Sequence, residues 1–179
     1  ETNSFDIADV ANSICDKLID RHPHIYGDVI VADEEEVKQN WEKLKLKEGK
    51  KSVLEGVPKG LPALVKASRI QDKVKGVGFD WEEPHQVWDK VQEELEELQL
   101  EIAAGDQDKM EAEFGDVLFS MINYARFLNI NPEDALERTN KKFISRFQYL
   151  ESKATEIGKP LMDMTLAEMD VFWNEAKKM

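Results

Sequence analysis

Residues 93–97 read Glu-Glu-Leu-Glu-Glu, and residues 113–116 read Glu-Phe-Gly-Asp. Carboxylates offer hard oxygen ligands. With neither His nor Cys in either run, the set suits Mg²⁺ or Mn²⁺ rather than zinc. Helix geometry sorts the acids, because successive side chains turn by about 100°. With Val91 at zero, Leu95, Leu98 and Ile102 lie within about 40° of it and mark an apolar face. Glu94 sits about 60° to one side, Lys90 and Glu101 at about 80–100°, and Glu97 at about 120°. Lys90, Glu94, Glu97 and Glu101 therefore form a stripe along one edge of that face, whereas Glu93 and Glu96 point away. With Val117 at zero, Glu113 falls about 40° and Asp116 about 100° to one side, with Lys109 between them.

The turn between the two runs decides whether the stripes can meet. Residues 104–106, Ala-Gly-Asp, separate the helical patterns. The midpoint of Glu94 and Glu97 and the midpoint of Glu113 and Asp116 each lie about 14 Å of helix from Gly105. An antiparallel hairpin sets them level. Four carboxylates at one level repel unless a cation joins them. Acidic runs are more often solvated helix faces, and the second pair at matched height beside the core is what favours a cation here.

The elements that position these residues are legible as helical periodicity. A helix is expected over residues 5–21, with Phe5, Ile7, Val10, Ile14 and Leu18 on one face, broken by His22-Pro23-His24. Residues 33–47 predict a second, with Asp33 as N-cap and Val37, Trp41 and Leu44 on its face. Residues 48–62, rich in Lys, Gly and Pro, read as a linker or long loop. Residues 62–75 are helical again through Leu64, Ala67, Ile70 and Val74, and residues 76–81 turn the chain. Residues 85–103, with Trp88, Val91, Leu95, Leu98 and Ile102 on one arc, and residues 107–128, with Met110, Phe114, Val117, Met121 and Leu128, form the hairpin. Asn131 caps a helix running to about residue 156, with Pro132 at its first position and acids in its first turn. Thr165 caps a last short helix carrying Met169, Phe172 and Trp173. No strand pattern occurs, so the expected class is all-α, a helical bundle.

Composition bounds the function. The 179 residues carry a net charge of -13, which speaks against a duplex-binding surface, since phosphate contacts need excess Lys and Arg. An acidic protein can still bind a nucleotide if a cation bridges the two. No apolar run reaches the roughly 18 residues of a membrane span and no signal peptide opens the chain, so no membrane partner and a cytoplasmic location are expected. The chain opens on Glu1 rather than Met, as a processed product or part of a longer protein would. The single cysteine, Cys15, reads as a small apolar residue of a reducing compartment. Residues 49–52 only echo a phosphate-binding loop, because Leu44 occupies the required upstream glycine position and no strand precedes it. His22 and His24 lack a cysteine at ligand spacing, and no nucleophile-elbow motif occurs.

The pattern Glu-Glu-x-x-Glu, fifteen residues, Glu-x-x-Asp resembles that of the MazG family of all-α nucleoside triphosphate pyrophosphohydrolases. Residues 90–94 (Lys-Val-Gln-Glu-Glu), 113–119 (Glu-Phe-Gly-Asp-Val-Leu-Phe), 123–126 (Asn-Tyr-Ala-Arg) and 140–147 (Asn-Lys-Lys-Phe-Ile-Ser-Arg-Phe) are similar to the family, as are Ile70-Gln71 and residues 77–81. Residues 14–24 resemble the end of the first of two tandem domains, whose own acidic motif is absent here. The resemblance implies a remnant of a first domain over 1–48, a linker over 49–61, and a catalytic domain over 62–179.

By resemblance, Glu94, Glu97, Glu113 and Asp116 are metal ligands, in agreement with the stripes. Glu93 belongs to the catalytic motif although it points outward, and is expected to act from behind or structurally. Lys90, Lys109, Lys142 and Arg146 match positions that neutralise a triphosphate, the last two being four apart on one helix face. Asn140, Trp173 and Lys177 match nucleotide contacts. Trp173 stacks on base or ribose in that reading and packs with Phe172 and Met169 in the other, and Trp81 is similarly open.

The activity implied is hydrolysis of ribo- and deoxyribonucleoside triphosphates to monophosphate and pyrophosphate with Mg²⁺, Mn²⁺ as a substitute, by a homodimer with a four-helix core. A non-catalytic nucleotide or metal sensor and a purely structural helical module are the rivals. Glu94→Ala and Asp116→Ala discriminate them through turnover and Mg²⁺ affinity.

Overall fold

A computed structural model describes residues 5–33, 36–37, 40 and 52–178. Among them every regular element is helical and no strand occurs, so the all-α class expected from periodicity holds.

Helix α1, Ile7–Arg21, begins at Asp6, whose carboxylate accepts from the Asp9 amide while Asp9 accepts from the Asp6 amide, both at 2.9 Å. These reciprocal bonds satisfy two donors that the first turn otherwise leaves open. His22 ends it, and Pro23 starts the single turn α2, Pro23–Tyr26. The His22 ring bonds the Leu18 carbonyl at 2.6 Å, an ordinary helix-end contact. The expected apolar stripe of α1 is present, yet no residue of this helix is buried. Of the helix expected from Asp33, residues 36, 37 and 40 are described, and they are helical. The Glu36 amide donates to Asp33 Oδ1 at 2.9 Å, and Trp41 and Leu44 lie outside the described residues. Within the expected linker, Ser52 accepts from the Leu54 amide and starts a 3₁₀ turn, Val53–Gly56.

Three helices follow: α3, Ala63–Lys75; α4, Pro84–Ala104; and α5, Gln107–Phe127. Pro84 at the first position and a reciprocal Glu83–Gln86 cap start α4. Gly105 ends it with φ +75, the left-handed conformation that a Cβ disfavours. Asp106 then caps α5 by accepting from the Lys109 amide at 3.2 Å. The hairpin is closed at its open end by Trp88 and Tyr124, ring centroids 5.0 Å apart. Gln71 of α3 donates to the Phe119 carbonyl of α5 at 2.8 Å, which ties the third helix to the pair.

The chain divides into two compact units, a first ending at Tyr124 and a second beginning at Ala125. The first unit corrects one expectation. Val87, Val91 and Glu94 are the buried residues of α4, with Leu98 half-buried, whereas Trp88, Leu95 and Ile102 stay exposed. On α5, Val117, Ser120 and Ile122 are buried and Phe114 and Met121 are not. The buried face of α4 is thus turned about 40° toward the acidic edge. Each helix is apolar over a wider arc than one hairpin partner covers, so the far side of each arc stays open.

The second unit is built from α6, Pro132–Glu156, and α7, Leu166–Ala176, joined through a 3₁₀ turn, Leu161–Asp163. Asn131 accepts from the Glu133 and Asp134 amides, and Thr165 with Glu168 forms a reciprocal cap, as their positions predict. Leu150, Ala154 and Met164 are buried between the two helices. Lys159 Nζ binds both Glu168 oxygens, at 2.6 and 2.8 Å. That contact first, and the Thr165 amide and hydroxyl next, hold the Glu168 carboxyl down at about 2 from an ordinary 4.5. A depressed carboxyl stabilises the fold above its unfolded value and loses that contribution as pH falls through its folded value. Glu168→Gln is expected to lower Tm at neutral pH. The gap from wild type should then narrow as pH falls from about 4.5 toward about 2 in a calorimetric series. A gap independent of pH in that window contradicts the assignment.

Candidate active site

The hairpin places the two acidic runs side by side. One carboxylate oxygen from each of Glu94, Glu113 and Asp116 falls within 4.8 Å of the others. Glu94 is the buried member, Glu113 half-buried and Asp116 exposed, so the group opens from the helix interface toward solvent. Oxygens around a six-coordinate Mg²⁺ at about 2.1 Å span about 3 to 4.2 Å. Small side-chain movements would therefore bring this donor set to a hard cation.

Electrostatics points the same way. The Glu113 carboxyl is pushed up, by desolvation first and then by the charges of Glu97, Asp116, Glu94 and Glu101. Glu97 stands outside the 4.8 Å group yet is the foremost of those charges. Lys90 Nζ lies 2.8 Å from Glu94 Oε1 and 2.9 Å from Glu93 Oε1. These bonds, Glu94's the stronger, hold the ammonium above the ordinary lysine range. Glu93 is largely exposed and meets the group through Lys90. Lys109 lies at 3.7 Å from Glu101 and 3.8 Å from Asp106, toward the turn.

The remaining candidates lie in the second unit. Lys142 and Arg146 are one helical turn apart on α6, and Asn140 precedes them, exposed. The Arg146 guanidinium lies 5.9 Å from the centre of the Trp173 ring. Trp173 is half-buried on α7, which fits both readings made from the sequence, and Lys177 caps the helix end with its ammonium 3.1 Å from Asn174.

Two polar groups of the first unit were not read from the sequence as site residues. Glu101 belongs to the stripe of α4, and its Oε2 is buried without a hydrogen-bond partner among the described residues. Gln71 is buried, and its Oε1 likewise lacks one. The available signal was a glutamine four residues after Ala67 on an otherwise apolar face.

An all-helical chain whose central hairpin presents three converging carboxylates belongs to the proteins able to hold a divalent cation between helices. Residues 82–150, which span this hairpin and most of α6, match the MazG nucleotide pyrophosphohydrolase domain. Over 99% of its length the chain is 41% identical to the nucleoside triphosphate pyrophosphohydrolase/pyrophosphatase MazG of Thermotoga maritima, covering 68% of that protein. It is 38% identical over the same share to the nucleoside triphosphate pyrophosphohydrolase of Escherichia coli K12, covering 70%. An uncharacterized protein of Bacillus subtilis, YabN, is 48% identical over 97% of the chain, which covers 36% of it. The chain belongs to the MazG family of nucleotide pyrophosphohydrolases and is an enzyme of the hydrolase class.

Proposed function

We propose that the chain hydrolyses ribo- and deoxyribonucleoside triphosphates at the α–β linkage, with Mg²⁺ as cofactor and Mn²⁺ as a substitute. One water is consumed, and nucleoside monophosphate, pyrophosphate and a proton are released. The observation that carries this reading is the convergence of Glu94, Glu113 and Asp116 oxygens within 4.8 Å on one hairpin. Glu94, Glu97, Glu113 and Asp116 are the ligands in this reading. A bound divalent ion supplies positive charge that lowers the pKa of a neighbouring water and offsets charge on the triphosphate.

The chain's own groups do the rest. Glu94 is fixed by burial and by Lys90, so one ligand is held before the ion arrives. Glu93 supports that contact from outside. Lys90 and Lys109 place positive charge beside the carboxylates. Lys142 and Arg146 offset charge on the phosphates and on the leaving pyrophosphate. Asn140, Lys177 and Trp173 orient the nucleoside, Trp173 by stacking.

Residues 62–179 form the catalytic domain in this reading, 1–48 a remnant of a first domain and 49–61 the link. The active form is a homodimer. Two open stripes support it: Trp88, Leu95 and Ile102 on α4, and Phe114, Leu118 and Met121 on α5, each repeating at helical spacing. Pairing two hairpins across these stripes makes a four-helix core with an isologous interface. Leu118 is half exposed. Leu118→Glu is therefore expected to shift the protein from the mass of two chains to that of one, or to precipitate it, in chromatography with light scattering. A wild-type protein at the mass of one chain overturns the dimer.

The reaction is tested by incubating the protein with each common NTP and dNTP and Mg²⁺, then resolving products by anion exchange. Equal monophosphate and pyrophosphate are expected. Diphosphate with orthophosphate assigns the chemistry to the wrong bond. Tight Mg²⁺ and nucleotide binding without product supports a sensor instead.

A further inference from the structure

The second unit carries two aromatic rings, Phe143 and Phe147, that the proposed chemistry leaves unused. Phe143 of α6 lies with its ring centre 4.9 Å from that of Trp173 on α7, tilted by 56°. Phe147, one turn further along, stacks nearly parallel to Phe143, at 6.3 Å and 8°. Arg146 closes on the Trp173 ring from the same helix. Phe143 is 56% exposed and Phe147 38%, so neither ring serves mainly to fill a core. Trp173 is half-buried on α7, and the ring and cation contacts on its indole come from Phe143 and Arg146. Its ring is oriented by the neighbours just named. An exposed indole held only at its Cβ samples several rotamers, and a base stacking on it must select one.

We propose that Phe143 is a positioning residue for base recognition: its ring, backed by Phe147, holds the Trp173 indole in one orientation against Arg146. The inference rests on the reading in which Trp173 stacks on the base. In this proposal Phe143 acts through the indole alone. Its removal therefore frees the indole and weakens stacking, and leaves the hydrolytic step intact.

The test compares ATP with ribose 5-triphosphate, which keeps the phosphates and lacks the base, on the full chain with Mg²⁺. Phe143→Leu is expected to raise KM for ATP by about 2- to 10-fold, the effect of freeing one side chain. It should leave kcat for ATP and both constants for ribose 5-triphosphate unchanged. Phe143→Tyr, which keeps the ring, should restore the wild-type KM. Trp173→Leu should raise KM for ATP at least as far.

If Trp173→Leu raises KM for ATP and Phe143→Leu does not, the positioning role is overturned while stacking stands. If Trp173→Leu has no effect, stacking itself fails and the positioning role falls with it. A rise for both substrates in Phe143→Leu marks a general structural defect and also overturns the proposal. Should that variant lose its helical circular dichroism, Phe143→Met, which keeps the volume without the ring, gives the same comparison.

Discussion

Asp116→Asn is expected to lower kcat by on the order of 10³-fold or more with the helical fold intact. A cation that stabilises developing charge contributes several kcal/mol, and each 1.4 kcal/mol is a factor of ten. The substitution keeps the size of the side chain and removes one charged oxygen donor from the converging group. Asp116 is the exposed member, so little packing is disturbed. The metal-free protein should gain thermal stability, because a charge that helps push up the Glu113 carboxyl is gone. Glu113→Gln should act in the same direction on both measures. Single-turnover kinetics and calorimetry on metal-free protein check the pair of outcomes. Retention of more than about a tenth of wild-type kcat in both variants contradicts the ligand assignment. A fall in stability shows that the carboxylates are structural.

Chelation is expected to abolish turnover completely and reversibly. Mg²⁺ or Mn²⁺ should restore it, and Zn²⁺ should not, because the donor set holds oxygen alone. Since the ion binds only the folded site, Tm should rise with Mg²⁺ concentration, by about 2.7 kcal/mol of added stability at a hundred times Kd. Asp116→Asn should flatten that rise. Without the ion, the folded Glu113 carboxyl titrates above its unfolded value. Stability contributed by its protonated form is then present at low pH and lost as pH rises through the folded value. Saturating Mg²⁺ should remove this slope. Turnover that survives exhaustive chelation refutes a metal-dependent reaction. A Tm indifferent to Mg²⁺ places the ion elsewhere, for example on the nucleotide alone.

Local features were largely legible before folding is considered. Asn131 and Thr165 cap their helices because short polar side chains reach amides two or three residues on, and that geometry is set by neighbours in sequence. Gly105 turns the hairpin because only a residue without Cβ takes its φ readily. Equal spacing on either side of Gly105 set Glu94 level with Glu113 and Asp116, since the rise per residue of a helix is constant. The capped start at Asp33 was readable for the same reason.

What depends on contacts distant in sequence was not readable in that way. Periodicity locates an apolar arc but not which part of it a neighbour covers. On α4 the covered part lies toward the acids, over Val87, Val91 and Glu94, and the part with Trp88, Leu95 and Ile102 stays open. Burial of Gln71 and the lack of any buried residue on α1 follow from the same rule. Phe143 and Trp173 are thirty residues apart and meet only because α6 and α7 fold back on each other. By itself the sequence determined the helices, their caps and the level at which the carboxylates stand, because these follow from fixed rise and rotation along one helix. The tertiary structure alone decided which faces are buried and which ring meets Trp173, because those depend on how side chains from separate elements share space.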